Sequence, residues 1–364
     1  MSKAREVAKM GEVLTNNQIG GRRNIIINGA MMVAQRSTST QFSNSNGFVC
    51  DRFECSNQTD GAITFSQSTD VPSGQGFINS TKINVDTADT SLAATQHALF
   101  QQKVEGLNSS HLMWGTSNAE NISVSFWIKS SLTGTFTYYA LDESADSQSY
   151  VQTFTIDSAN TWEKKTFTIE GPTTGGTTDF PITNARSFFT GICLGVGSTH
   201  QTSTTGSWHS TANFAASTSS AVKLIGTASA NMYVTGWQIE LGNQVTPFEH
   251  RSFGEELLLC QRYYFQAHDG GGDSWLSTGN FYSSTQVDYG VRFPVQMRAT
   301  PSADFGSGTV SVGVASSFGN PTNIAIYVPK KFGTMLYTTA SSSTAGYAAE
   351  IRPNTMEIAF TAEL

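Results

Sequence analysis

The sequence predicts an all-β protein: an antiparallel β-sandwich or jelly roll, with a short helix ahead of it and a smaller β unit behind. Three observations carry that expectation. Only 13% of the 364 residues are charged, against about a quarter in ordinary domains. Aromatic residues nevertheless reach 11%, with 23 phenylalanines, an apolar load that disordered chains lack. Short runs alternating at period two recur between glycine-rich turns, and β-branched and aromatic side chains suit a pleated surface.

In chain order, Ser2 to Leu14 is the clearest helical stretch. Val7, Met10 and Leu14 fall at i, i+3 and i+7, with Lys3, Arg5, Glu6, Lys9 and Glu12 on the other side. A helix this short is not stable alone, so its apolar stripe is expected to dock on its own domain or on copies of itself. Asn16 to Gly21 reads as a linker, which makes residues 1–23 an anchor segment.

Residues 24–253 read as the sandwich. Ile25-Ile26-Ile27 runs into Asn28-Gly29, a strong turn signal. Alternating runs follow at Ile63–Ser66, Lys82–Val85, Ile122–Ile128, Phe136–Tyr139, Thr153–Ile156, Lys165–Ile169 and Tyr233–Ile239. About nine such strands in roughly 220 residues suit a sandwich or jelly roll, solvated on its outer faces. Gly171–Thr178 and Gly197–Ser220 read as exposed loops.

Residues 254–364 read as a second unit. Gly254 to Cys260 has helical spacing and leads into an aromatic strand at Tyr263-Tyr264. Strand signals resume at Val287–Phe293, Gly308–Val314, Asn323–Val328 and Glu357–Phe360.

A net charge of −7 argues against nucleic acid as a partner, because phosphate binding needs basic residues gathered on one face. The basic pairs Arg22-Arg23, Lys164-Lys165 and Lys330-Lys331 read as solvated surface. The four cysteines, Cys50, Cys55, Cys193 and Cys260, lack zinc-type spacing. Cys50 and Cys55 are expected on opposite faces of one strand, all four being buried free thiols. Met1 to Leu14 has no signal-peptide core, and no run of about 18 apolar residues would insert in a membrane. Synthesis and folding in a cytoplasm without disulfides is the expectation.

Several segments then carry a family resemblance through their order. Asn24 to Gly29, Val33 to Arg36 and Asp51-Arg52-Phe53 open it; Gln101 to Gly106, Ser125 to Ser130 and Thr161 to Thr166 form its middle. Gln238 to Gly242, Thr246 to Arg251 and Gly254 to Tyr264 close it, and Phe293-Pro294 with Met297 to Pro301 resembles a following module. Together they resemble the jelly-roll tail-fibre and virion structural proteins of marine tailed bacteriophages, whose fold is similar to carbohydrate-binding jelly rolls. The resemblance implies a fibre subunit of the phage particle, a homotrimer joined to other virion proteins through its N-terminus and adhering to host-surface polysaccharide. A decorative protein on the capsid or tail with little receptor role fits the same order. No catalytic residue and no cofactor is implied.

Within that reading, sugar contacts need flat aromatic rings beside hydroxyl-binding polar groups. Trp208, next to His209, and Trp275 with Asp273 are candidates, as is Tyr282 beside Phe281; Trp127 and Trp237 are expected in the core. A polysaccharide depolymerase would need paired carboxylates. Asp142-Glu143 with Asp146 offers the nearest cluster, but reads as a solvated hairpin tip. Asp269 and Asp273 flank a triple glycine that resembles a calcium turn without the further acidic ligands. His200 and His209 share a loop without a recognisable metal pattern. No metal site is expected.

Overall fold

The computed structural model describes residues 23–142, 148–218, 221–272, 274–314, 317–321, 323–339 and 343–364. Val7, Met10, Leu14, Glu143, Asp146 and Asp273 lie outside them. The chain divides into two compact units between Ser252 and Phe253. Among the described residues no helix is long and apolar enough to cross a membrane.

The first unit is an antiparallel jelly-roll sandwich. Its strands are β1 (Ser39–Phe48), β2 (Phe53–Ser68), β3 (Ser80–Thr87), β4 (His97–Glu105), β5 (Ile122–Ser130), β6 (Gly134–Leu141), β7 (Gln148–Ile156), β8 (Glu163–Ile169) and β9 (Arg186–Val196). The short β10 (Gln201–Thr202), β11 (Trp208–Ser210) and β12 (Ala215–Ala216) precede β13 (Asn231–Leu241). One ladder runs β11-β7-β6-β9-β4-β2-β3-β13-β5-β8, with β1 also on β2. It folds over at β2, whose Phe53–Gln58 half pairs with β4 and whose Ala62–Ser68 half pairs with β3. The two ends of the ladder therefore face each other. Phe126 on β5 lies 5.4 Å from Phe154 on β7, and Phe167 on β8 lies 4.8 Å from Tyr138 on β6.

Trp237 sits where the layers meet, fully buried. Phe53, Phe100, Phe126 and Tyr138 all lie with ring centroids 5.4 to 5.9 Å from it. Aromatic rings this close dominate the buried area and add edge and offset contacts to it. A bulge between Thr235 and Gln238 aims Trp237 inward. Gly236 makes that bulge possible: its φ is +63°, and a Cβ there would lie 2.6 Å from Phe77.

The segment from Asn24 to Ala30 departs from expectation. It forms no strand and no hairpin; Asn28, at φ 62°, closes a tight turn instead. The isoleucine N–H groups go to three different acceptors: Ile25 to Ile239 O, Ile26 to Asn24 Oδ1 and Ile27 to Gln102 Oε1. With its donors dispersed, the segment straps the bulged β13 rather than pairing along one strand. Cys50 also departs, lying in the turn before β2 rather than on a strand with Cys55. All four cysteines are buried and free.

A second, smaller core lies on the outer face of the β6-β9-β4 layer. Residues 197–216 cross that face, where Phe214 and Ala215 cover Leu99, Tyr139, Cys193 and Val196.

The second unit opens on helix α1 (Phe253–Gln261). A three-stranded sheet joins β14 (Tyr264–Asp269), β23 (Glu357–Thr361) and β17 (Ser302–Phe305). A seven-stranded sheet contains β15 (Ser277–Phe281), β16 (Gln286–Arg292), β18 (Val310–Val314), β19 (Ser317–Gly319), β20 (Ala325–Lys330), β21 (Gly333–Thr339) and β22 (Ala348–Pro353). Val287, Tyr289, Leu336, Ile351, Ile358 and Phe360 fill its core.

Candidate functional site

Strand β5 decides where the site lies. Ile122, Val124, Phe126 and Ile128 are all fully buried, so period two sends Trp127 to the opposite face. There it is half-buried, not in the core as the sequence suggested. It lines an open groove of about 410 Å³ with Phe77, Phe248, His250, Gln75, Ser125 and Lys164. Phe77, Phe248 and His250 pack together with ring centroids 4.9 to 5.1 Å apart.

Three of the groove's polar groups are uncommitted. Among the described residues, neither the Trp127 indole N–H nor the Gln75 amide has a hydrogen-bond partner, and Lys164 has no ion pair. Burial pushes the Lys164 ammonium below the ordinary lysine pKa, and Glu240 offsets this only in part. Glu240 is itself engaged: its oxygens accept from Thr246 N, Thr246 Oγ1 and Gln238 Nε2 at 2.7 to 3.0 Å. An aromatic floor with free donors at its rim can take a sugar ring by stacking and its hydroxyls by hydrogen bonding.

The segment that closes the groove is also tied to the start of the unit. Glu249 accepts the Arg23 and Asn24 N–H groups at 2.9 and 3.0 Å, and pairs with Arg251 at 3.0 Å. Arg251 donates in turn to the carbonyls of Asn24 and Ile26. This clamp joins Asn24 and Ile26 to Glu249 and Arg251.

Trp208 lies elsewhere in the same unit, on the rim of a cavity of about 590 Å³ lined by Gln148, Glu170, Asp179 and His209 among others. Its ring is wedged against Trp114, Tyr150 and Phe180, and its indole N–H donates to Glu170 O at 2.6 Å. It is built into the wall. His209 contacts Ser149 and Asn213 through its Nε2.

Trp275 and Tyr282, in the second unit, are 62% and 69% exposed. They flank β15 at opposite ends, a span of roughly 23 Å at strand rise, so one sugar residue cannot touch both. Asp269 turns its carboxylate onto Gly271 N at 2.9 Å. Asp142, expected at a solvated tip, is buried. Its carboxylate accepts Gln148 N at 2.7 Å and so closes the β6–β7 connection. The described residues hold no cluster of three metal-ligating side chains.

Sequence comparison finds no matching family model and no matching curated protein. Solved structures similar to this chain include a putative sugar-binding protein from Bacteroides thetaiotaomicron, at 11% identity and a TM-score of 0.35, covering 60% of this chain and 100% of that one. A family 11 carbohydrate-binding module from Clostridium thermocellum aligns at 12% identity and a TM-score of 0.29, over 59% of this chain and 99% of that one. The enzymatically active domain of tailspike protein 4 from bacteriophage CBA120 aligns at 12% identity and a TM-score of 0.31, over 60% of this chain. The match spans only 21% of that tailspike chain. None of these likenesses bears on what the chain binds.

Proposed function

We propose that the chain is a non-enzymatic, glycan-binding subunit of a tailed-phage fibre, and that it holds sugar in the Trp127 groove. The observation that carries the reading is the outward, half-buried Trp127, with its free indole N–H, in one groove with Phe77, Phe248 and His250. The lining of the Trp127 groove offers sugar a stacking ring and hydrogen-bond donors, the chemistry of binding, whereas glycoside hydrolysis works through two carboxylates. The virion role rests on the sequence resemblance. In that role residues 1–23, with the Val7, Met10 and Leu14 stripe, attach the subunit to other virion proteins, and the working form is a homotrimer.

The test pairs host-cell adsorption with particle imaging. Purified full chain is expected to adsorb to host cells, and Trp127→Ala to lose adsorption while remaining folded. A density map of the particle is expected to show trimers projecting from it. Undiminished adsorption by the Trp127 variant overturns the site, and copies buried in the capsid shell overturn the fibre role.

A further inference from the structure

The Trp127 groove continues along the outer face of its sheet. Strand register places Thr235, Trp127 and Lys164 in one row across β13, β5 and β8, with Thr235 buried and Trp127 and Lys164 reaching the outer surface. The adjacent row holds Lys82 on β3, Tyr233 on β13 and Lys129 on β5, with Trp162 immediately before β8. The Lys129 ammonium lies 4.2 Å from the Tyr233 ring centroid and 5.5 Å from that of Trp162, a cation–π seat. Asp70 fixes this end, pairing with Lys129 and accepting the Trp162 indole N–H at 3.0 Å. Lys82 points over Tyr233 from the other side.

Charge on this strip does not match charge on the chain. Three lysines share the strip with one ion-paired carboxylate, Asp70, while the charges of Asp86 and Glu240 reach Lys82 and Lys164 without pairing with them, within a molecule of net charge −7. Neither Lys82 nor Lys164 forms an ion pair among the described residues. Their Cα atoms stand three strands and two residues apart, roughly 16 Å by sheet spacing. A single sugar ring cannot bridge that distance. Cations left unpaired on an aromatic floor gain most from a ligand that brings its own anions.

Building on the proposed sugar groove, we infer that this face selects an extended anionic glycan, one bearing carboxylate or sulfate groups. Trp127 stacks on a ring, while Lys164 and Lys82 meet charges on separate residues of the same chain. The experiment is an array of paired oligosaccharides probed with the full chain: galacturonate and guluronate oligomers beside their methyl esters, and chondroitin sulfate beside its desulfated form. Anionic members are expected to capture the chain about tenfold better than their neutral partners at low salt, with the advantage shrinking as salt rises. Lys164→Gln and Lys82→Gln are expected to erase the preference separately, while Trp127→Ala removes capture of every member. The uronate and sulfate arms distinguish which anion is read.

Equal capture of neutral and anionic partners, still abolished by Trp127→Ala, overturns the charge assignment and leaves the sugar groove standing. Failure of the folded chain to bind any member overturns both. Comparable capture by single-stranded oligothymidylate overturns the assignment to a glycan.

Discussion

Asn24 and Glu249 meet across 225 residues of sequence, the Asn24 N–H donating to Glu249 Oε2 at 3.0 Å. The Asn24 side chain completes the join, donating to Trp237 O and accepting Ile239 N, both at 3.0 Å. One asparagine thus fastens the start of the sandwich to the bulge that aims its central tryptophan. Glu249→Ala strips an acceptor from two backbone N–H groups and from Arg251. The expected loss is about 2–3 kcal/mol of sandwich stability, read as a lower urea midpoint. An unchanged midpoint would make the clamp incidental.

The same carboxylate sets an acid limit. Burial pushes the Glu249 carboxyl up, but the Arg23 and Asn24 N–H groups and the Arg251 guanidinium outweigh it and hold its pKa below the usual glutamate value. A carboxyl depressed in the folded state contributes stability that is complete above the unfolded pKa of about 4.3 and drains away as pH falls through the folded pKa. Stability measured downward from about pH 5 is therefore expected to fall, and Glu249→Gln to fall less steeply. Parallel slopes in the two proteins would contradict this.

The two tryptophans separated by strand parity are expected to behave oppositely. Trp237→Ala empties the centre of the aromatic cluster and costs about 3–5 kcal/mol. Trp127→Ala removes a half-buried ring and costs about 1 kcal/mol or less, yet loses the ligand. Calorimetry alongside glycan binding separates the two effects.

Gly236→Ala tests how the bulge shapes the groove. An L-residue at φ +63° is strained, and its Cβ would displace Phe77. The expected cost is about 1–3 kcal/mol, accompanied by weaker binding because Phe77 is part of the groove lining.

Burial pushes the Cys50 and Cys193 thiols up to about 12, outweighing hydrogen bonds that favour their thiolates. Thiolate is the reactive form, so thiol reagents at pH 8 are expected to label the native chain negligibly. Full labelling should appear only in denaturant. Rapid labelling of folded protein would mean these cysteines open locally.

Legibility in the sequence followed side-chain polarity. Strands that alternate apolar residues with Ser, Thr, Gln or Lys, such as β5, β8 and β13, are visible even where both faces are covered. β4 and β9 hide because apolar residues stand side by side on them, Leu99 with Phe100 and Ile192 with Cys193 and Leu194, all buried. The residue 197–216 crossing removes the polar half of the pattern, leaving no period to read. Ile25 to Ile27 misleads in the other direction, since three isoleucines suggest a strand while their N–H groups find scattered acceptors.

For the groove, strand parity is the legible signal. Ile122, Val124, Phe126 and Ile128 fix the inward register, and Trp127 is the odd residue among them. Trp208 offered no comparable signal. Its commitment to Trp114, Tyr150 and Phe180 depends on residues 28 to 94 positions away along the chain.

The residue 197–216 crossing has one more consequence. By covering Leu99, Tyr139, Cys193 and Val196 on one outer face it leaves the proposed groove on the opposite layer, so within this unit the proposed grip makes a tile with one working side. Such a tile can grip an extended polymer in one orientation only. Several copies held together would then add their grips only if the mount turned every working side toward the same surface. Weak contacts at each tile become durable hold through geometry that the sealed face enforces.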